Sequence, residues 1–174
     1  EDTLSLHDAL PICHIRYSDV RALKPVVTTE FNIEGYPEPS FLDLVLEVKP
    51  AQVTLVPDPP NALTSNAGWD TLAHFDFLKE TVAVFQRAGI RVSLFMETDP
   101  IRIKKASETG TDRIELYTEP YAALYSLDRE KAVKDFATAA FLGHELGLGI
   151  NAGHDLSLEN LAWFAQKVPH LEEV

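Results

Sequence analysis

Several shortages in the sequence each exclude a class of protein. A single cysteine, Cys13, in 174 residues leaves no intramolecular disulfide, no CxxC redox pair and no cysteine-based zinc site. Basic residues are few, 15 Lys+Arg against 27 Asp+Glu for a formal net charge of −12. Such a surface repels phosphate backbones, and no local Lys/Arg cluster offsets it, so nucleic acid is not an expected partner. Long apolar runs are also missing. Nothing approaches the roughly 18 uncharged residues of a membrane span, and Glu1-Asp2 stands where a signal sequence has a basic start. The expectation is a cytoplasmic globular chain with no membrane partner. With 8 Gly and 11 Pro placed singly or in pairs, no low-complexity tract or flexible linker divides it, and its length is that of one domain.

What is present is an alternation of extended and helical patterns. Val26 to Ile33 is rich in β-branched residues, is closed by Gly35 and Pro37, and predicts a buried strand. Ser40 then precedes apolar positions 41, 42, 45, 46 and 48, which predicts a serine-capped helix that stops before Pro50. Gln52 to Val56 reads as a second strand, ended by Pro57-Asp58-Pro59-Pro60. Apolar Phe75, Leu78, Val82 and Phe85 recur at helical spacing between Thr71 and Ala88, with Gly89 as the stop. Arg91 to Met96 is a strand. Asp99 and Pro100 supply the N-cap and first position of a helix ended by Gly110. Arg113 to Tyr117 is a fourth strand, Asp128 to Leu146 a long helix closed by Gly147, Leu148 to Asn151 a fifth strand, and Ser157 to about Val168 a last helix.

Strands that alternate with helices in this way run parallel, because the crossover helix returns the chain to the same end of the sheet. Two α/β architectures satisfy the pattern, a doubly wound open sheet and a (β/α)8 barrel. The sequence holds no GxGxxG, GxxxxGK[ST] or GxSxG string, which removes the usual marks of the open sheet. A barrel places its reactive groups where strands end, and three strands here end on suitable residues. Glu34 follows Asn32-Ile33, Glu115 lies in Arg113-Ile114-Glu115-Leu116-Tyr117, and His154 follows Asn151-Ala152-Gly153.

Two carboxylates and an imidazole on one rim suit general acid/base work on a carbonyl substrate. Glu34 and His154 read equally well as solvated loop residues, and Glu115 taken alone reads as a buried ion pair with Arg113 or Arg91. A metal centre is disfavoured, since His7, His14, His74, His144 and His170 are scattered and form no HxH or HExxH pair. Thr64 and Ser65 offer hydroxyls to a phosphate or simply shape a turn. Tyr117, Tyr121, Tyr125, Trp69 and Trp163 read as packing residues, and His74 and His144, on predicted helices, as surface or core-edge ones.

Six strings occur together and in order: His14-Ile15-Arg16-Tyr17-Ser18-Asp19-Val20, Glu30-Phe31-Asn32-Ile33-Glu34-Gly35, Val53-Thr54-Leu55-Val56-Pro57, Arg91-Val92-Ser93-Leu94-Phe95, Arg113-Ile114-Glu115-Leu116-Tyr117-Thr118 and Asn151-Ala152-Gly153-His154. From His14 to Val174 the chain resembles the pyridoxine 5′-phosphate synthase family. The resemblance implies a (β/α)8 TIM barrel that condenses 1-deoxy-D-xylulose 5-phosphate with 3-amino-2-oxopropyl phosphate, works without a metal or redox cofactor, and assembles as a homo-octamer. By position it implies Glu34 as general base, His154 as proton donor, Glu115 as the carboxylate that stabilises the transition state, and His14 and Thr64 as contacts to the deoxyxylulose phosphate. Asp155 stands where many relatives carry a glycine that contacts the amino-ketone phosphate. A backbone contact survives that exchange, whereas an added carboxylate repels a phosphate unless it points away.

Residues 1–13 match nothing in the family pattern and read as a leader of artefactual origin, ahead of a partial barrel over 14–174 that carries roughly strands three to seven. The expectation for such a piece is inactivity and low stability by itself. Two rival readings remain. Another phosphate-handling barrel, an aldolase or epimerase, is the first, although a Schiff-base aldolase needs a strand-end lysine that this sequence lacks. A non-catalytic barrel module is the second.

Overall fold

The computed structural model describes residues 15–58 and 66–174. Their elements are α1 (Tyr17–Leu23), β1 (Asn32–Gly35), α2 (Pro39–Val48), β2 (Gln52–Leu55), α3 (Phe75–Arg87), β3 (Arg91–Met96), α4 (Pro100–Ser107), β4 (Arg113–Tyr117), α5 (Glu119–Tyr125), α6 (Arg129–Glu145), β5 (Gly149–Gly153), α7 (Leu161–Lys167) and β6 (Leu171–Glu173). The six strands form one all-parallel sheet in sequence order, β1-β2-β3-β4-β5-β6. The sheet is strongly curled. Gln52 Nε2 on β2 donates to Glu173 Oε2 on β6 at 3.1 Å, although β3, β4 and β5 lie between these strands in the sheet.

Side chains alternate across each strand, and the two faces differ in kind. Toward the helices point Ile33, Val53, Leu55, Val92, Leu94, Met96, Ile114, Leu116, Ile150 and Ala152. They share one buried core with Leu44, Val45 and Val48 of α2, Leu78, Val82 and Phe85 of α3, and Phe136 and Ala140 of α6. The concave face carries Asn32 and Glu34, Gln52 and Thr54, Arg91 and Ser93, Arg113 and Glu115, and Asn151 and Gly153, with Phe95 and Tyr117 at the C-terminal ends. Barrel interiors are usually filled by branched apolar side chains, and this one is polar over most of its depth.

Strands β3 and β4 occupy their expected ranges, and Asp99 caps α4 as expected, its Oδ1 accepting from the N–H groups of Ile101 and Arg102. Other boundaries move. The β-branched stretch from Val26 is not strand: Val26 and Val27 donate backbone N–H groups to Leu23 O in a turn that follows α1, and Val26 is 65% exposed. Pairing begins only at Asn32 with Gln52, so Glu34 lies inside β1. The cap of α2 is Glu38 with Pro39 in the first turn, and Ser40 donates its hydroxyl to Glu38 Oε1. Thr71 precedes α3 instead of opening it and donates to Arg102 O. The last helix starts at Leu161 because Ser157 to Asn160 is a turn held by Asn160 Oδ1 on the Ser157 N–H. Two elements went unread: α5, which buries Tyr121 in the core, and the three-residue β6, which makes the sheet six-stranded where five strands were expected.

Candidate active site

The concave face opens on a cavity of about 630 Å3, lined among others by Asn32, Glu34, Phe95, Glu115, Gly153 and His154. Glu115 is buried, and its Oε2 lies 3.2 Å from the Thr54 hydroxyl, which also lies 3.2 Å from Asn32 Oδ1. Asn32 Nδ2 in turn stands 3.5 Å from Glu34 Oε1. The two carboxyls lie within interaction range of each other across the cavity floor, an interaction that lowers Glu34 and raises Glu115. Burial, and after it the charge of Glu34, pushes Glu115 up to about 8. Glu34 keeps solvent-accessible surface because it lines the open cavity, yet the surrounding walls displace enough water to raise its pKa; the interaction with Glu115 and the nearby His154 oppose that rise. Both carboxyls are therefore held above the ordinary carboxylate range, and Glu115, at about 8, keeps its proton near neutral pH.

His154 leaves β5 with φ 94° and Asp155 follows with φ 56°. Two consecutive non-glycine residues in the left-handed region are costly, and such turns persist where their surroundings fix them. Here Thr118 does so, donating its hydroxyl to Gly153 O at 2.7 Å and also engaging His154 O. The imidazole packs edge-on against Tyr117, with ring centroids 5.0 Å apart. Its Nδ1 lies 2.7 Å from Asp155 Oδ2. The Asp155 carboxylate thus points back at the imidazole, which sets the orientation of the ring.

At the other end of the same interior the charges are matched. Arg91 donates to Gln52 Oε1 at 2.7 Å and to Glu173 Oε1 at 3.0 Å, and also pairs with Glu30. Arg113 reaches Asn151 Oδ1 at 2.9 Å, Glu172 at 2.8 Å and Glu173 at 3.4 Å. Asn151 Nδ2 closes the ring on Glu173 Oε2 at 2.8 Å. Neither arginine pairs with Glu115, which corrects the ion-pair reading of that residue: both guanidiniums lie one layer below it and are engaged there.

Of the expected site residues, Glu34, Glu115 and His154 meet at one cavity. Asp155 stands beside it against His154. His14 and Thr64 lie outside the described residues. Asn32, Thr54 and Gly153 went unread as site residues, although the polar residue at every second place of otherwise apolar parallel strands marks the inner face. Among the described residues no group of three or more His, Cys, Asp or Glu side chains is placed to hold a metal ion, and no helix is long and apolar enough to cross a membrane.

Comparison with known proteins agrees with this geometry. The chain is 62% identical over 161 residues to the pyridoxine 5′-phosphate synthase of Parabacteroides distasonis, an alignment covering 92% of the chain and 68% of that protein. It is 53% identical over 173 residues to the synthase of Bacteroides thetaiotaomicron, covering 99% of the chain and 73% of the relative. Among solved structures, the tryptophan synthase α-subunit of Pyrococcus furiosus superposes with a TM-score of 0.63 at 14% identity, over 97% of this chain and 64% of that one. That likeness establishes the fold as the (β/α)8 barrel type, of which the six strands form part. The family model described as "Pyridoxal phosphate biosynthesis protein PdxJ" matches residues 3–174, and with the two carboxyls and the imidazole gathered on one barrel rim, the chain belongs to the PdxJ family.

Proposed function

We propose that the protein condenses 1-deoxy-D-xylulose 5-phosphate with 3-amino-2-oxopropyl phosphate to pyridoxine 5′-phosphate, releasing inorganic phosphate and water. The observation that carries this reading is the pair of carboxyls, both raised above their ordinary pKa, that meets an imidazole in a single cavity. Forming an imine, dehydrating it and closing a ring each moves a proton, and a site that holds a base and two acids within reach serves all three steps. Glu34 acts as general base. Glu115, neutral at physiological pH, donates a hydrogen bond to oxygen as negative charge develops there. His154, oriented by Asp155, protonates the leaving oxygen. No lysine is found among the described residues of the cavity, so a Schiff base on the enzyme has no support.

The family resemblance supports His14 and Thr64 as contacts to the deoxyxylulose phosphate. It supports Asp155 as a contact to the second phosphate through its backbone N–H, its carboxylate being engaged by His154. It also supports a homo-octamer in the cytoplasm, which sedimentation and fractionation test. For the 174-residue chain alone we propose little or no turnover, because among the described residues β1 and β6 are the edges of the sheet and the cavity between them is open. Release of phosphate and formation of product from the two substrates, followed by mass spectrometry with Glu34→Gln and His154→Asn as controls, tests the assignment. Product formation unaffected by either substitution overturns that residue's role, and full turnover by the isolated chain overturns the reading of its open edges.

A further inference from the structure

Five glycines, Gly35, Gly68, Gly143, Gly149 and Gly153, stand where an added Cβ would come within 3.0 Å of protein; at Gly143 and Gly149 the nearest atoms are Ile150 Cδ1 at 2.7 Å and Arg113 Cγ at 2.8 Å. A Cβ on Gly35 would lie 2.3 Å from the Phe41 ring, and one on Gly68 would lie 2.3 Å from the Glu97 backbone nitrogen. Both neighbours are fixed, the first in the core and the second in the main chain. Gly153 is different. Its Cβ would lie 2.4 Å from Glu115 Oε1, with the next atoms, Glu115 Cδ and Cγ, at 3.4 and 3.9 Å. The atom in the way is the tip of a flexible side chain that carries a proposed catalytic carboxyl. Gly153 is not in the left-handed region, so its backbone has no need of glycine, and it is paired in register with Tyr117 inside the sheet.

We propose that Gly153 and Thr54 are positioning residues for Glu115: the missing Cβ at 153 leaves the slot that Oε1 fills, and the Thr54 hydroxyl holds Oε2 from the opposite wall. Between them the carboxyl is pressed toward Glu34 and kept out of the open cavity. The ionisable groups around it are Glu34 on β1, Glu173 on β6 and His154 after β5, while Arg91 and Arg113 are engaged with Gln52, Asn151 and the Glu173 layer below. The two supports act on the Glu115 proton in opposite senses. Gly153→Ala pushes the carboxyl off Glu34 into wetter space, which removes burial and like-charge repulsion and lowers its titration midpoint. Thr54→Val removes the one hydrogen bond that favours the ionised form and raises it.

This inference rests on the proposed function only for its effect on turnover; placement is read directly by titration. In the 174-residue chain with glutamate carboxyls labelled with carbon-13, the Glu115 resonance is assigned by its loss in Glu115→Gln and followed from pH 4 to 10. The expected result is a fall of about one unit in Gly153→Ala and a rise of similar size in Thr54→Val, with circular dichroism unchanged. Midpoints that stay put, or that move in the same direction in both variants, overturn the proposal. So does a Gly153→Ala chain that fails to fold, since the added Cβ would then have displaced backbone instead of the carboxyl tip. The expected shifts in a chain without turnover leave the placement standing and count against the proposed function alone.

Discussion

The two ends of the barrel interior are built from the same strands and treat charge in opposite ways. At the N-terminal end, Arg91 and Arg113 face Glu30, Glu172 and Glu173, with Gln52 and Asn151 filling the remaining hydrogen-bonding sites. Glu30 is pulled below its ordinary pKa by its hydrogen bond from Arg91. Two residues further along the strands, Glu34 and Glu115 meet with no cation between them, and both are raised. Matched charges in a polar interior make a plug, which holds strands together at little cost. Unmatched like charges lower stability, and they persist where a shared proton is put to use.

The largest effects should come from the unmatched end. Glu34→Gln and His154→Asn should each lower turnover by about 10² or more in the assembled barrel, measured as steady-state product formation, without lowering the unfolding midpoint. The matched end should answer in stability instead. Arg113→Met leaves Asn151 Oδ1 without its donor and Glu173 with Arg91 as its remaining cation, and should cost about 2 kcal/mol in denaturant unfolding. Adding Glu173→Gln should recover part of it, and a destabilisation that does not depend on Glu173 would break the contrast.

A smaller effect separates the two ends by pH. Glu115 is ionised in the unfolded chain above pH 4.5 but stays neutral in the fold up to about 8, so folding takes up a proton in that window. Stability from this group is therefore greatest at the acid side and declines as pH rises from 5 to 8. Glu34, also raised, adds in the same sense. Glu115→Gln should flatten the dependence and gain stability at pH 8 relative to pH 5, read from urea midpoints at both values. A steep decline that survives the substitution would place its origin elsewhere. The smallest effect is expected at Asp155. Asp155→Asn keeps a residue tolerant of the left-handed turn but removes the carboxylate that faces His154 Nδ1, and should lower turnover by about fivefold or less with little change in stability.

Legibility differed between the two ends as well. Glu34, Glu115 and His154 stood out because ionisable groups at the ends of apolar parallel strands are costly. The edges of β3 and β4 were legible for the same reason, as unbroken runs between Gly and Asp punctuation. The plug was not. Arg91 and Arg113 look like ordinary strand-start residues until the curl brings β6 to within 3.1 Å of Gln52, and Glu172-Glu173 carries no strand signal, since two adjacent glutamates disfavour the extended state. Val26 to Thr29 misled for the converse reason: β-branched composition fits a strand, but their backbone groups turn back on Leu23.

By itself the sequence determined the α/β alternation, the parallel sheet, the absence of disulfides and of membrane-spanning helices, and which three ionisable residues stand at strand ends. These follow from local periodicity and from the cost of burying charge. Only the tertiary structure decided that the two carboxyls meet, that a Cβ at position 153 would strike Glu115, and which arginines are engaged elsewhere. Those outcomes depend on distances between residues far apart in the chain, such as Arg113 and Asn151, separated by 38, or Thr54 and Glu115, separated by 61, which no local pattern encodes.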